Sequence, residues 1–198
     1  MKKILAVDVC VRGEDSRTRR LLDTALAKLS EIHPDWKIER LVLSEEGLSY
    51  LDKASLGERD RLIAKRDFEH PRFRCAKQFR DADGILVAAP FWDMSFPALL
   101  KVYIENVSVE GLTFYCDEKG LHGMCRAGWM LYLTTRGGIY EEALLQDESY
   151  LRVMSGFFGI GKFLCAHADG LDIVGLNGDE ILREAQQKTE QLCTDECL

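Results

Sequence analysis

Short apolar runs alternate with amphipathic helical stretches along the whole chain, and this alternation restricts the possible fold more than any other feature. Five runs read as strands: Lys3–Val9, Trp36–Leu43, Asp83–Ala89, Gly128–Thr134 and Lys162–Ala168. They are short and rich in β-branched or aromatic residues, and several are bounded by glycine or charge. Between them lie stretches with a 3.6-residue apolar period, clearest in Ser16–Glu31, where Leu21, Leu22, Ala25, Leu26 and Leu29 form one stripe. Further helices are expected over Ser55–Asp67, Pro71–Arg80, Pro97–Asn106, Gln146–Phe158 and Asp179–Cys193, with a small hairpin over Thr113–Cys125 that turns at Asp117–Gly120. Strand–helix alternation of this kind predicts an α/β fold. Right-handed crossovers put helices on both faces of a parallel sheet, here five strands in the order 2-1-3-4-5.

At 198 residues the chain fits one domain, taken as 1–198. Its 26 Lys and Arg against 33 Asp and Glu leave a net charge of −7, which argues against a broad nucleic-acid or anionic-membrane surface. No uncharged apolar stretch approaches ~18 residues, so no membrane span is expected. The basic, apolar start resembles a signal peptide only in outline, because Asp8 interrupts it and no small-residue cleavage pattern follows. Seven scattered cysteines (Cys193 and Cys197 the closest pair) read as reduced thiols of a cytoplasmic protein. His33, His70, His122 and His167 lie far apart, and no metal site is expected.

Ligands of such sheets sit outside the carboxyl ends of the strands, where strand order reverses. That directs attention to the loops Cys10–Thr18, Pro90–Phe96 and Thr134–Tyr140. In the first, Ser16 is placed to cap a helix that then carries Arg17 and Arg19 in its opening turn. Cations there oppose the helix dipole by about 0.3–1 kcal/mol each. A bound anion would reverse the sign, so Arg12, Ser16, Arg17 and Thr18 read as a phosphate cradle. The loop is neither a dinucleotide fingerprint nor a P-loop. In the second, Pro90, Phe91, Trp92, Asp93 and Met94 form an aromatic platform suited to a flat ring, with a hydrophobic plug or subunit contact as the plainer reading. In the third, Gly137 and Gly138 allow close approach of backbone to a ligand, or simply make a tight turn. Arg136, between them and the strand, is either a surface charge or, as its place beside the other two loops favours, a contact for a ring or substrate.

Together the three loops resemble the FMN-dependent NAD(P)H oxidoreductases of the flavodoxin-like fold, in the azoreductase and quinone-reductase branch. The resemblance runs from about Ile4 to Gly170. It rests on Ser16-Arg17-Thr18, Pro90-Phe91-Trp92-Asp93-Met94 and Thr134-Thr135-Arg136-Gly137-Gly138, with Phe96–Ile104 and Gly111-Leu112-Thr113-Phe114 in the expected places. It implies that Cys10, Ser16, Arg17 and Thr18 surround the FMN phosphate. It implies further that Phe91, Trp92, Asp93 and Met94 line the ribityl chain and isoalloxazine, and that Thr135, Arg136, Gly137 and Gly138 meet the pyrimidine side. Cys10 stands where a serine is usual, Asp93 where an asparagine is common and Tyr140 where a histidine is familiar.

The same resemblance implies a two-electron ping-pong cycle. NAD(P)H would reduce the flavin, which then reduces a quinone, azo or nitro compound, with Arg136 and Tyr140 as candidate catalytic groups. It also implies a homodimer with the active site at the interface; the length beyond a minimal five-strand carrier lies in the Ser44–Arg80 and Ser108–Cys125 excursions, where dimer and substrate contacts are expected. The rival readings are a flavodoxin-like electron carrier and a non-catalytic flavin-binding module.

Overall fold

The computed structural model describes residues 1–197, apart from the side chain of Glu142. Its main sheet is made of β1 (Lys3–Asp8), β2 (Lys37–Val42), β3 (Gly84–Ala88), β6 (Trp129–Thr135) and β7 (Lys162–Ala168). All neighbours are parallel, in the order β2-β1-β3-β6-β7. With the hairpin strands β4 (Phe114–Asp117) and β5 (Gly120–Gly123) set apart as their own antiparallel pair, this is the expected flavodoxin-like 2-1-3-4-5 arrangement.

The period-2 alternation of the strands builds two cores. Ile4, Ala6, Leu86, Leu131 and Leu133 face α1 (Arg17–Ile32) and α6 (Gly178–Asp195), which pack together through Leu22, Ala25, Leu182 and Ala185. Leu5, Val7, Ile85, Val87 and Tyr132 face the other layer. That layer contains α3 (Arg74–Asp81), α4 (Ala98–Val107) and α5 (Gln146–Phe157). β3 and β6 are buried along their whole length, as central parallel strands covered on both faces must be.

Several boundaries move for local reasons. α2 (Lys53–Ala64) starts before the expected Ser55, because Asp52 and Ser55 form a reciprocal capping box. This helix buries no residue, so its position was readable only from its cap. The stretch from Pro71 begins as a tight three-residue turn, Pro71–Phe73, before α3. Among the described residues no helix is long and apolar enough to cross a membrane.

Candidate functional site

The carboxyl ends of β1, β3 and β6 open into a cleft of about 220 Å³. Its first wall comes from the β1–α1 loop. Ser16 caps α1, its hydroxyl accepting the Arg19 N–H at 3.3 Å, and the first turn carries no acid. Ser16, Thr18, Arg12 and Arg17 all line the cleft. Helix amides, hydroxyls and guanidiniums therefore converge on one spot, an arrangement suited to a phosphate. Thr18 and Thr135 share a buried hydroxyl–hydroxyl bond of 2.6 Å that ties this wall to the end of β6.

The arginine cluster does not act as one unit. Arg19 turns away from the cleft, with Nε 3.4 Å from Asp8 and Nη1 3.2 Å from Glu14. Asp8 is buried at the end of β1 and also holds Arg40 at 2.7 Å. Cys10 sits behind the cradle. It is buried beneath the loop and absent from the cleft lining, with its thiol pushed up to about 12, chiefly by burial. The thiol points toward Ala88 O at 3.7 Å, and its neighbours Val11 and Ser16 are the residues that line the cleft.

Pro90, Phe91 and Trp92 form the second wall. Trp92 and Ser95 then exchange backbone hydrogen bonds of 2.9 and 2.8 Å across a reversal, with Asp93 and Met94 at φ 50° and 64°. Two successive left-handed residues without a glycine cost conformational energy. The reversal carries Asp93 and Met94 to a turn tip outside the cleft lining, where they had been expected to line it.

The third wall is Thr135 and Gly137. A Cβ on Gly137 would lie 2.3 Å from an Asp172 carboxylate oxygen, so the glycine admits this carboxylate. The loop after β7 is laced to the same segment. Gly170 N–H donates to Gly138 O, and Asp172 N–H donates to Gly137 O. Asp172 thereby reaches the cleft and binds Arg17 through both guanidinium nitrogens, at 2.9 and 3.3 Å. Gly138 lies under Tyr140, whose ring packs 5.0 Å from that of Phe91, and neither Gly138 nor Tyr140 lines the cleft.

Arg136 lies among the deepest of the expected site residues. Expected at a ring or substrate, its side chain is instead fully buried. It pairs with Asp147 at 3.3 Å and Asp169 at 3.1 Å. Burial alone would depress the guanidinium, and these two carboxylates more than reverse that. Asp15 and Asp172 were missed as cleft residues. Asp172 was findable by extending the carboxyl-end rule to the loop after the fifth strand.

A larger depression of about 410 Å³ lies at the opposite end, where Lys3 and Lys37 meet α3. Part of its charged rim is already paired, Lys77 with Glu69 and Gln78 with Glu39. It lacks the Phe91–Trp92 wall and the glycine edge of the first cleft, which is the better equipped for a flat, anionic ligand.

With that geometry in view, comparison with known proteins is informative. The flavodoxin-like fold family matches residues 2–192. The FMN-dependent NADH:quinone oxidoreductase 2 of Clostridium acetobutylicum is 34% identical over 199 residues, covering 96% of this chain and 98% of that protein. A protein of the same name from Clostridium beijerinckii is 34% identical over 196 residues, covering 96% and 98%. Among solved structures, an FMN-dependent NADH-azoreductase of Bacillus anthracis in complex with FMN superposes with a TM-score of 0.88 at 22% identity, covering 100% of both chains. At that identity the likeness speaks to the fold. The sequence match over almost the whole chain and the shared sheet order agree: this protein belongs to the flavodoxin-like family.

Proposed function

We propose that this protein is an FMN-dependent NADH:quinone oxidoreductase of the azoreductase type. The observation that carries the reading is the convergence, at one set of strand ends, of a capped helix N-terminus with two arginines, an aromatic wall and a glycine-lined edge. The similar Clostridium proteins bear that activity in their names, including NADH as donor.

The residues present fit the cofactor. Arg12, Arg17, Ser16 and the α1 amides would hold the phosphate. Phe91 and Trp92 offer flat apolar surface to the ring system, and Thr135 with the Gly137 backbone lies at its polar edge. FMN held there would supply the hydride chemistry between NADH and the acceptor, in a two-electron ping-pong cycle. The chain's own work is to orient, to exclude water and to place hydrogen-bond donors. Quinone acceptors come first on the strength of the relatives' names, with azo and nitro compounds as further candidates.

One chain encloses only about 220 Å³, below the ~300–1,000 Å³ typical of ligand pockets. Apolar groups stand exposed beside the cleft: Trp92, Ile139, and, next to Asp172, a fully exposed Val174. Both facts support a homodimer in which a second copy completes the site. Seven unpaired cysteines support a reducing cytoplasmic setting.

The test is the visible spectrum of the purified protein with FMN. Flavin bands that bleach anaerobically on adding NADH, and recover with menadione, are expected. Bound flavin that NADH fails to bleach would point to an electron carrier, and no flavin uptake would end the reading.

A further inference from the structure

Arg136 leaves the end of β6 with its backbone fastened to the far strand. Its N–H donates to Ala168 O at 2.8 Å, and its carbonyl accepts the Leu171 N–H at 3.2 Å. Its side chain runs inward. Asp147, in the first turn of α5 and fully buried, faces it on one side, and Asp169 faces it on the other. The Tyr132 hydroxyl donates to the same Asp147 oxygen at 2.9 Å, and His167 Nδ1 lies 3.0 Å from Asp169. Two carboxylates thus meet one guanidinium. The set is not saturated, because Arg136 Nε and Asp147 Oδ1 are buried without a hydrogen-bond partner.

Such a cluster is a poor device for stability, since desolvating buried charges offsets much of their attraction. Its placement indicates another use. The guanidinium carbon lies 5.5 Å from the centre of the Phe91 ring, and Phe91 is itself a wall of the cleft. Arg136 is also flanked in sequence by Thr135 and Gly137, the two other lining residues of that edge. The cation therefore sits one aromatic ring behind the cleft, and in so buried a place charge is weakly screened.

We propose that Asp147 and Asp169 are positioning residues that act through Arg136, outweighing its charge behind the Phe91 wall and so keeping the bound cofactor a strong reductant. The inference rests on the FMN reading above. Uptake of a hydride adds one negative charge to the ring system while NADH departs as NAD⁺. A bare cation nearby would stabilise that added charge and raise the midpoint potential. Two carboxylates around the cation do the reverse, favouring release of electrons to the acceptor.

The experiment measures FMN affinity by fluorescence titration and midpoint potential by equilibration with reference dyes, for the whole protein and three variants. Asp147→Asn removes one negative charge at nearly constant shape and is expected to shift the potential to a more positive value. Asp169→Asn, at a partly exposed position, is expected to shift it the same way and serves if the first variant does not fold. Tyr132→Phe removes the hydrogen bond to Asp147 without changing charge, and should leave the potential in place. Potentials unmoved in the folded aspartate variants, or moved equally by Tyr132→Phe, would overturn the inference while FMN binding stands. Wild-type protein that takes up no FMN would overturn the functional reading itself, and this inference with it.

Discussion

Arg17 and Asp172 meet across the mouth of the cleft, so the cradle holds its own internal anion. Two substitutions should therefore act with opposite sign. Arg17→Ala removes a charge-assisted bond to the phosphate and is expected to weaken FMN binding by about tenfold or more. Asp172→Asn removes a competitor whose exposed ion pair is worth little, and is expected to tighten binding by about two- to fivefold. Fluorescence titration at fixed ionic strength reads both, and equal weakening by the two would show Asp172 to be a support for the cradle. At this scale the sequence was partly legible. Ser16 announced itself as a cap, because a hydroxyl residue preceding a 3.6-period stripe has few other roles. Arg17 and Arg136 could not be told apart, since each is an arginine in a strand-end loop. What separates them is the partner set. Asp172 lies 155 positions from Arg17, and the burial of Arg136 depends on Asp147 and Asp169 arriving from two other elements.

Among the elements, those whose identity rests on a strong local period lie where the sequence put them. β7 spans Lys162–Ala168 as expected, and α1 begins directly after its serine cap. The β4–β5 hairpin was recognisable from its turn, but its docking was not. A Cβ on Gly123 would fall 2.0 Å from backbone atoms of Phe158 and Gly159, at the end of α5. Backbone cannot swing aside as a flexible side chain can, so Gly123→Ala must push the hairpin off α5. The expected loss is about 1–3 kcal/mol, as for an overpacked core, and about 2–4 °C of Tm for each kcal/mol in a chain of this size. Calorimetry checks it, and an unchanged transition would mean that the hairpin is only loosely seated. The Pro90–Ser95 loop was legible as aromatic. Its reversal through Asp93 and Met94 was not, because Asp tolerates the left-handed region but Met does not, and no glycine marked the turn.

For the molecule as a whole, the alternation of runs was sufficient to define one parallel sheet, while its 2-1-3-4-5 order went with the family resemblance. The route is physical: parallel strands need crossovers, crossovers have one hand, and the strand ends then collect the loops. What a single chain could not disclose is how the cleft is completed. Ile139 and Leu176 both approach Gly170, and Val174 stands wholly exposed beside them, forming an apolar rim next to Asp172. Val174→Asp is therefore expected to loosen the proposed dimer by about tenfold or more, as burying an unpaired charge costs several kcal/mol. Sedimentation across a dilution series reads this, with FMN affinity falling in parallel, and a dimer that ignores the substitution would place the interface elsewhere. The Arg17–Asp172 bridge sets the same small threshold for every anion that enters the cradle. A small free anion such as inorganic phosphate must displace the Asp172 carboxylate and gains only the cradle in return. A ligand with a flat ring at the far end of the same tether gains the Phe91 and Trp92 surface as well. Displacing Asp172 costs both ligands alike, so the choice between them falls to the aromatic wall at the far end of the cleft.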